Sequence, residues 1–238
     1  MSDPAIPLPA STVVLLRPNA STGFDVYLNR RPDHLETYAG VFVFPGGRVE
    51  ESDCSAVMLA LTRGLTAYEA QQKLGASLPA EICLGYWVAA VRELYEEAGI
   101  HFFVSDPGGF HPSSNDISQR MAERRPTLQS GTISFAELLR AEHVYCDLSR
   151  LIYFFHRVTP EHYTVRFDTR FYIAALPADQ TPLAVSEEVC ESLWISPQLA
   201  LERFARNEFS MVPPTVMVLR TLSKYRSWTE LREVFGVC

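Results

Sequence analysis

The most informative stretch of this 238-residue chain is Arg92-Glu93-Leu94-Tyr95-Glu96-Glu97-Ala98-Gly99-Ile100. At about 100° per residue, Glu93, Glu96 and Glu97 share one narrow face of a helix, which we call the acid face. The opposite arc is apolar and is typical of a stripe that packs on a core: Leu84, Trp87, Val88, Val91, Leu94, Tyr95 and Ala98. The pattern predicts a helix over 79–98 that buries one side and presents three carboxylates on the other.

The positions of these carboxylates are unfavourable for a helix that only has to fold. Glu93 and Glu97 are like charges four residues apart, which costs roughly 0.2–0.5 kcal/mol. Glu96 and Glu97 also precede Gly99 in the last turn, where the helix dipole favours cations by about 0.3–1 kcal/mol. A divalent cation would reverse both penalties, because hard ions such as Mg²⁺ prefer oxygen ligands. The alternative is a solvated acidic face with Arg92 paired to Glu96.

A glycine turn upstream of this helix favours the metal interpretation. Phe44-Pro45-Gly46-Gly47 follows a β-like run, and its two glycines let the backbone come close to an ion or a phosphate. Together, Gly47 and the stretch 92–100 resemble the Nudix hydrolase signature, which reads Gly, five residues, Glu, seven residues, Arg-Glu-apolar-x-Glu-Glu-x-Gly-apolar. Asp53 stands at the intermediate Glu position, and 38 residues, 54–91, follow it where the signature has seven.

An interrupted signature of this kind is similar to the coenzyme A diphosphatase-like subgroup of Nudix proteins. The segment before the glycine turn also resembles the coenzyme A motif of that subgroup, with Arg31, Leu35 and Gly40 at matching spacing. Glu36 and Tyr38 stand where the motif more often has a basic residue and a histidine. The resemblance implies that Arg31, Leu35, Tyr38 and Gly40 lie in the substrate-binding region.

The insertion within the signature, 54–78, carries helix signals of its own. Thr66 and Glu69 form a capping-box pattern ahead of a short helical run towards Leu74. We therefore expect a compact helical excursion that packs beside the active site and leaves Gly47 close to the acid face.

The resemblance implies a fold as well, an α/β/α sandwich around a mixed sheet. The other strand patterns lie near 12–17, 25–30, 40–45, 101–104, 151–158, 169–175 and 190–195, and the other helical patterns at 116–124, 134–142, 197–206, 214–225 and 228–235. We expect a flexible lead at 1–10 and a single Nudix domain at 11–238, with the helical insertion at 54–78 and C-terminal helices at 197–238.

The resemblance also implies the chemistry, which is cleavage of a diphosphate with Mg²⁺ or Mn²⁺ as cofactor. Glu93, Glu96 and Glu97 are the implied metal ligands, with the carbonyl of Gly47 as a further one. Arg92 is implied to orient these carboxylates through charge-assisted hydrogen bonds.

Other site candidates lie further along the chain. Glu187 and Glu188, shortly before Trp194, are the candidates for a general base supplied by a distal loop, and exposed loop acids are the alternative. Arg31 and Arg166 are candidates for contacts with substrate phosphates, and surface salt bridges are the alternative for each.

The implied substrate is coenzyme A or an acyl derivative, hydrolysed to 3′,5′-ADP and 4′-phosphopantetheine. ADP-ribose, NADH or another dinucleotide is the alternative substrate, and a nucleotide-sensing domain without turnover is the alternative outside the enzyme class. The intact acid face favours catalysis, since a binding module need not keep carboxylates that repel one another.

Composition sets the broad class of protein. At 47% hydrophobic residues the chain can bury a substantial core, and its net charge of −7 argues against a protein that coats nucleic acid. No apolar run approaches the ~20 residues that span a bilayer, and 1–10 lacks signal-peptide features. The five cysteines are scattered, which suits a reducing compartment. We expect a cytoplasmic protein, with a homodimer as a further expectation, that acts on a small-molecule diphosphate without a nucleic-acid or membrane partner.

Overall fold

The computed structural model describes residues 5–34, 38–75, 77–105, 114–183 and 189–237, with the backbone alone at 114–116. The strands are β1 (Leu8–Asn19), β2 (Gly23–Arg30), β3 (Phe42–Val43), β4 (Gly46–Arg48), β5 (Thr62–Arg63), β6 (Phe103–Ser105), β7 (Val144–Asp147), β8 (Ile152–Val158), β9 (Phe167–Ala175) and β10 (Glu191–Ile195). The helices are α1 (Ala56–Leu59), α2 (Ala67–Leu74), α3 (Ala80–Ala98), α4 (Ser114–Gln129), α5 (Phe135–Ala141), α6 (Pro197–Ala205), α7 (Pro213–Leu222) and α8 (Trp228–Phe235).

A mixed sheet forms the middle layer, with β10, β2, β1, β9 and β8 in that order and with β3 and β4 beside β2 and β1. The central strand β1 pairs in parallel with β9 and antiparallel with β2. Successive side chains of a strand point to opposite faces. Val13 and Leu15 therefore join the core beneath α3, whereas Val14 and Leu16 join the core beneath α6, α7 and α8. The predicted α/β/α sandwich is confirmed.

The long helix α3 lies close to the predicted span and carries the acid face. It ends at Gly99, whose left-handed backbone (φ 69°) lets its N–H donate to the carbonyl of Tyr95. Trp87, Val91 and Leu94 from the apolar stripe are buried against the sheet. The acid face is thereby turned towards β4 and the glycine turn.

The insertion packs on α3 but is not purely helical. It contains the predicted helix α2, the further short helix α1, and also β5, which pairs in parallel with β7 in a small second sheet. A strand of two residues is too short to leave an alternating pattern in the sequence. At Gly85 of α3, an added Cβ would lie 2.3 Å from the Sγ of Cys54, so the start of the insertion rests directly on the helix.

The first strand begins earlier than the sequence indicated. β1 starts at Leu8, so the last three residues of the expected lead, 1–10, belong to the sheet. Pro9 obscures this start, since proline cannot donate to a strand ladder. Its carbonyl nevertheless accepts the N–H of Val49.

The C-terminal helices α6, α7 and α8 lie where the sequence predicted them and cover the second face of the sheet. In the part of the chain that the structure describes, no helix has the length and hydropathy that crossing a membrane requires.

Candidate active site

Arg92 is the buried centre of the acidic cluster. Its side chain is only 5% exposed, and its Nε and Nη2 donate to the two carboxylate oxygens of Asp53 at 2.9 Å each. Nη2 also donates to the carbonyl of Arg48, and Nη1 donates to Glu93 at 2.9 Å and Glu96 at 3.3 Å. Burial lowers the pKa of Arg92, but the hydrogen bonds and charges of these carboxylates outweigh it and raise the pKa overall. One cation thus orients three acids.

Asp53, which stands at the middle acid of the signature, is buried beside Arg92 despite the insertion that follows it. Its side chain is 1% exposed, and its Oδ2 accepts the N–H of Glu50 at 2.9 Å, which fixes the 3₁₀ turn Glu51–Cys54. The bidentate pair with Arg92 then ties this turn to α3. The side chain of Asp53 is shorter than that of a glutamate, and it still reaches the guanidinium group of Arg92.

Glu97 is held by the strands rather than by Arg92. Its Oε2 accepts the N–H of Gly46 at 3.2 Å and the Nδ2 of Asn29 at 3.3 Å. Asn29 is itself oriented, because its Oδ1 accepts a hydrogen bond of 2.9 Å from the Oγ of Ser192. Donors from β2 and β4 therefore fix this carboxylate beside the glycine turn.

Gly47 leaves the space that the Glu93 carboxylate occupies. A Cβ added at Gly47 would lie 2.3 Å from Oε1 and 2.5 Å from Cδ of Glu93. The requirement here is for space, since Gly47 does not have the left-handed backbone that favours glycine. The predicted closeness of the glycine turn and the acid face is confirmed.

Glu96 is a carboxylate of the cluster whose charged form is disfavoured by burial. Burial raises the pKa of Glu96 to about 7, against the opposing effect of Arg92, and the charge of Glu93 raises it further. The backbone of Glu96 is fixed separately by α4. Arg125 Nη1 and Gln129 Nε2 donate to its carbonyl at 2.7 Å and 2.8 Å, where a helix end otherwise lacks partners.

The donor set suits a hard divalent cation by its chemistry, because carboxylate and carbonyl oxygens are the ligands that Mg²⁺ and Mn²⁺ prefer. Among the described residues, no group of three His, Cys, Asp or Glu side chains is already arranged to hold a metal ion. Glu93 and Glu96 point to Arg92, and Glu97 to backbone and amide donors. The metal ligands therefore stay a prediction, supported by the donor types.

A cleft of about 580 Å³ opens beside the glycine turn. Alternate residues of β1 and β9 line it, as do the β8–β9 loop and the start of α7. Gly46 and Gly47 line one end. Glu93 contacts Gly47 from the side of α3, and no residue of the acid face is itself among the described residues that line the cleft.

Part of the predicted coenzyme A segment lies on the cleft. Arg31 and Tyr38 both line it. Gly40 does not line it, but its left-handed backbone (φ 66°) closes the turn, and its N–H donates to the carbonyl of Arg31 at 3.1 Å. Leu35 lies outside the described residues.

The remaining candidates divide into one structural residue and two that the structure does not describe. Arg166 lies outside the lining of the cleft, and it donates to the carbonyls of Thr159 and Ala5, which ties the β8–β9 loop to the N-terminal segment. The predicted general bases, Glu187 and Glu188, lie outside the described residues.

Sequence reasoning missed several residues that line the cleft, among them Arg48, Arg157, His162 and Tyr163. Arg48 directly follows the glycine turn, so its position in the sequence could have identified it as a candidate. The other three lie on the β8–β9 hairpin, far from every motif, and only strand pairing brings them to the site.

Two curated relatives are similar to this chain in sequence. In Gallus gallus, the protein named acyl-coenzyme A diphosphatase NUDT19 is 28% identical over 224 residues, which cover 80% of this chain and 59% of that protein. The Homo sapiens protein of the same name is 27% identical over 248 residues, which cover 91% and 65%. The chain thus spans less than two thirds of the length of either relative.

A solved structure shows the same fold. The Nudix hydrolase from Alicyclobacillus acidocaldarius superposes with a TM-score of 0.73 at 24% identity, covering 98% of each chain. A family model described as the NUDT19 Nudix domain matches residues 5–222. Because that match spans most of the sequence, the chain belongs to the NUDT19 Nudix domain family.

Proposed function

We propose that this chain is a divalent-metal-dependent diphosphatase that hydrolyses coenzyme A or acyl-coenzyme A to 3′,5′-ADP and 4′-phosphopantetheine or its acyl form. The observation that carries the proposal is the contact between Glu93 and Gly47, which joins the acid face to an arginine-lined, largely apolar cleft. The names of the two curated relatives support the same activity. The intact acid face argues against a nucleotide-sensing domain without turnover.

The proposed chemistry follows from the residues of the acid face. Water adds to one phosphorus of the diphosphate and the bridging P–O bond breaks, so that each product leaves with a phosphate group. Glu93, Glu96, Glu97 and the carbonyl of Gly47 are the proposed ligands of Mg²⁺ or Mn²⁺, which would neutralise charge on the phosphoryl oxygens. Arg92 holds two of these carboxylates in place, so the site is oriented before substrate binds.

The other elements of the proposal rest on the sequence. Glu187 or Glu188 is proposed as the general base that takes a proton from the attacking water. A cytoplasmic location and a homodimer stay predictions.

The cleft suits the parts of coenzyme A that other diphosphates lack, namely a 3′-phosphate and a long, mostly neutral arm. Phe44, Val43 and Phe167 give the cleft an apolar lining, which suits the arm. Arg31 supplies a cation in the same cleft, and its Nε is buried without a hydrogen-bond partner in the described structure. A phosphate oxygen would satisfy this group.

The test is a panel of diphosphates assayed with Mg²⁺ and Mn²⁺, with products read by mass. We expect a higher kcat/KM for coenzyme A than for dephospho-coenzyme A, ADP-ribose or NADH. Arg31→Ala should reduce the ratio of these kcat/KM values by a larger factor than it reduces kcat, because it removes a binding contact. Faster hydrolysis of ADP-ribose or NADH, with coenzyme A inert, would refute the substrate and leave the diphosphatase chemistry standing.

A second variant tests the contact between the glycine turn and the acid face. We expect Gly47→Ala to lower kcat by about 10²-fold, since the added methyl must displace the Glu93 carboxylate from its working position. The displaced group is the end of a flexible side chain, so the thermal midpoint should change by no more than a few degrees. Steady-state kinetics and a thermal melt of the same sample measure both effects. A kcat equal to that of the wild type would contradict the assignment of Glu93.

A further inference from the structure

We propose that Arg157 on strand β8 determines specificity by contacting a phosphate monoester that the substrate carries in addition to its diphosphate. The inference rests on the proposed function, because it takes the diphosphate to bind at the glycine turn. Nothing in the sequence singles out Arg157, and the argument comes from the charge of the cleft and the register of the sheet.

The charge of the cleft is the first observation. Although the chain has a net charge of −7, the described lining holds Arg31, Arg48 and Arg157 and no aspartate or glutamate. None of the three forms an ion pair with a described residue. Like charges collected in one cleft without partners repel one another, so the arrangement favours a ligand with several negative charges.

The register of the sheet separates two of these cations. Arg48 pairs with Ala10, Ala10 pairs with Thr169, and Thr169 pairs with Arg157. Three strand spacings of about 4.8 Å place the backbones of Arg48 and Arg157 roughly 14 Å apart on one row. The two arginines therefore reach into the cleft from opposite sides.

The two sides of the cleft have different neighbours. Arg48 directly follows Gly47, and its carbonyl accepts from Arg92, so it belongs to the end where the diphosphate binds. Arg157 faces the ligand from the other side, beyond the reacting group. A neutral sugar or neutral arm at that place would leave the cation without a partner, whereas a second phosphate would pair with it.

The surroundings of Arg157 suit a phosphorylated nucleoside. Thr169, its direct cross-strand neighbour, also lines the cleft and offers a hydroxyl donor. His162 and Tyr163 of the same hairpin line the cleft with their rings in contact, at a centroid distance of 4.4 Å. Tyr163 is 45% exposed, which leaves ring surface for a base to stack on. The hairpin thus presents a cation, a hydroxyl and an aromatic surface together.

The experiment compares two nucleotides that differ only in the 3′-phosphate, namely 3′,5′-ADP and 5′-AMP. Their dissociation constants are measured by calorimetry on the wild type, Arg157→Ala, Arg157→Lys and the control Arg220→Ala, which removes an exposed arginine of α7 away from the lining. We expect the wild type to prefer 3′,5′-ADP, and Arg157→Ala to reduce that preference about tenfold, the usual effect of one charged hydrogen-bonding group.

The lysine variant keeps the charge but loses the guanidinium fork, so it should retain part of the preference. Arg220→Ala should retain all of it. The ratio of kcat/KM for coenzyme A over dephospho-coenzyme A should fall in Arg157→Ala by the same factor as the binding preference.

The outcomes separate this proposal from the proposed function. If the wild type does not prefer 3′,5′-ADP, or if Arg157→Ala keeps the preference, the role of Arg157 is overturned, even where coenzyme A is hydrolysed. If no diphosphate in the panel is hydrolysed but the preference depends on Arg157, the catalytic proposal fails and the role of Arg157 stands.

Discussion

Glu97→Gln is expected to abolish turnover while the fold stays intact. The substitution removes one proposed metal ligand and its charge, and a metal ion supplies several kcal/mol of transition-state stabilisation, so kcat should fall by roughly 10³-fold or more. The amide oxygen of glutamine can still accept the N–H of Gly46, which preserves the contact with the glycine turn. Without metal, the variant should be as stable as the wild type or slightly more so, because it loses a like-charge pair with Glu93 worth about 0.2–0.5 kcal/mol.

The measurement is steady-state kinetics with Mg²⁺ and Mn²⁺, beside a thermal melt in a chelator. Glu81→Gln is the matched control, since Glu81 is an exposed acid in the first turn of the same helix. We expect the control to retain full activity. Activity of Glu97→Gln within a few-fold of the wild type would contradict the assignment of Glu97 as a metal ligand.

Arg92→Met is expected to destabilise the fold by about 3–5 kcal/mol, because it leaves the buried carboxylate of Asp53 without its bidentate partner. Methionine fills most of the space of the arginine stem, so the loss reports the ion pair more than a cavity. In the double variant Arg92→Met/Asp53→Asn the uncompensated charge is gone. We expect the double variant to be less destabilised than the sum of the two single variants, by about 1–3 kcal/mol.

Urea denaturation curves of the wild type, both single variants and the double variant measure this coupling. The exposed pair of Arg30 and Asp33 provides the control, and Arg30→Met should leave the free energy of unfolding close to that of the wild type. Strictly additive effects of the Arg92 and Asp53 substitutions would show that the two side chains do not stabilise the fold as a pair.

Much of the fold could be predicted because its signals are local. The span of α3, its end at Gly99 and the places of α6, α7 and α8 follow from helical periodicity and from start and stop residues. The start of β1 at Leu8 and the strand β5 could not be read in the same way. A proline obscures the first, and the second is too short to show a period.

The residues of the site also divide into those with a local sequence signal and those without one. Gly47, Arg92 and the acid face were predicted because they lie in two short motifs, and Arg31 and Tyr38 because they precede one of them. Arg157, His162 and Tyr163 of the β8–β9 hairpin lie in no motif. They reach the cleft only because β9 pairs with β1, and β1 with β4.

The sequence by itself determined the acid face and the helix that carries it, since both depend on residues that are neighbours within a few turns. Only the tertiary structure decided that Asp53 meets Arg92 across an insertion, that Gly47 makes room for Glu93 and that Arg157 shares a row with Arg48. These contacts join segments far apart in the chain, and the pairing of strands and the packing of α3 on the sheet bring them together.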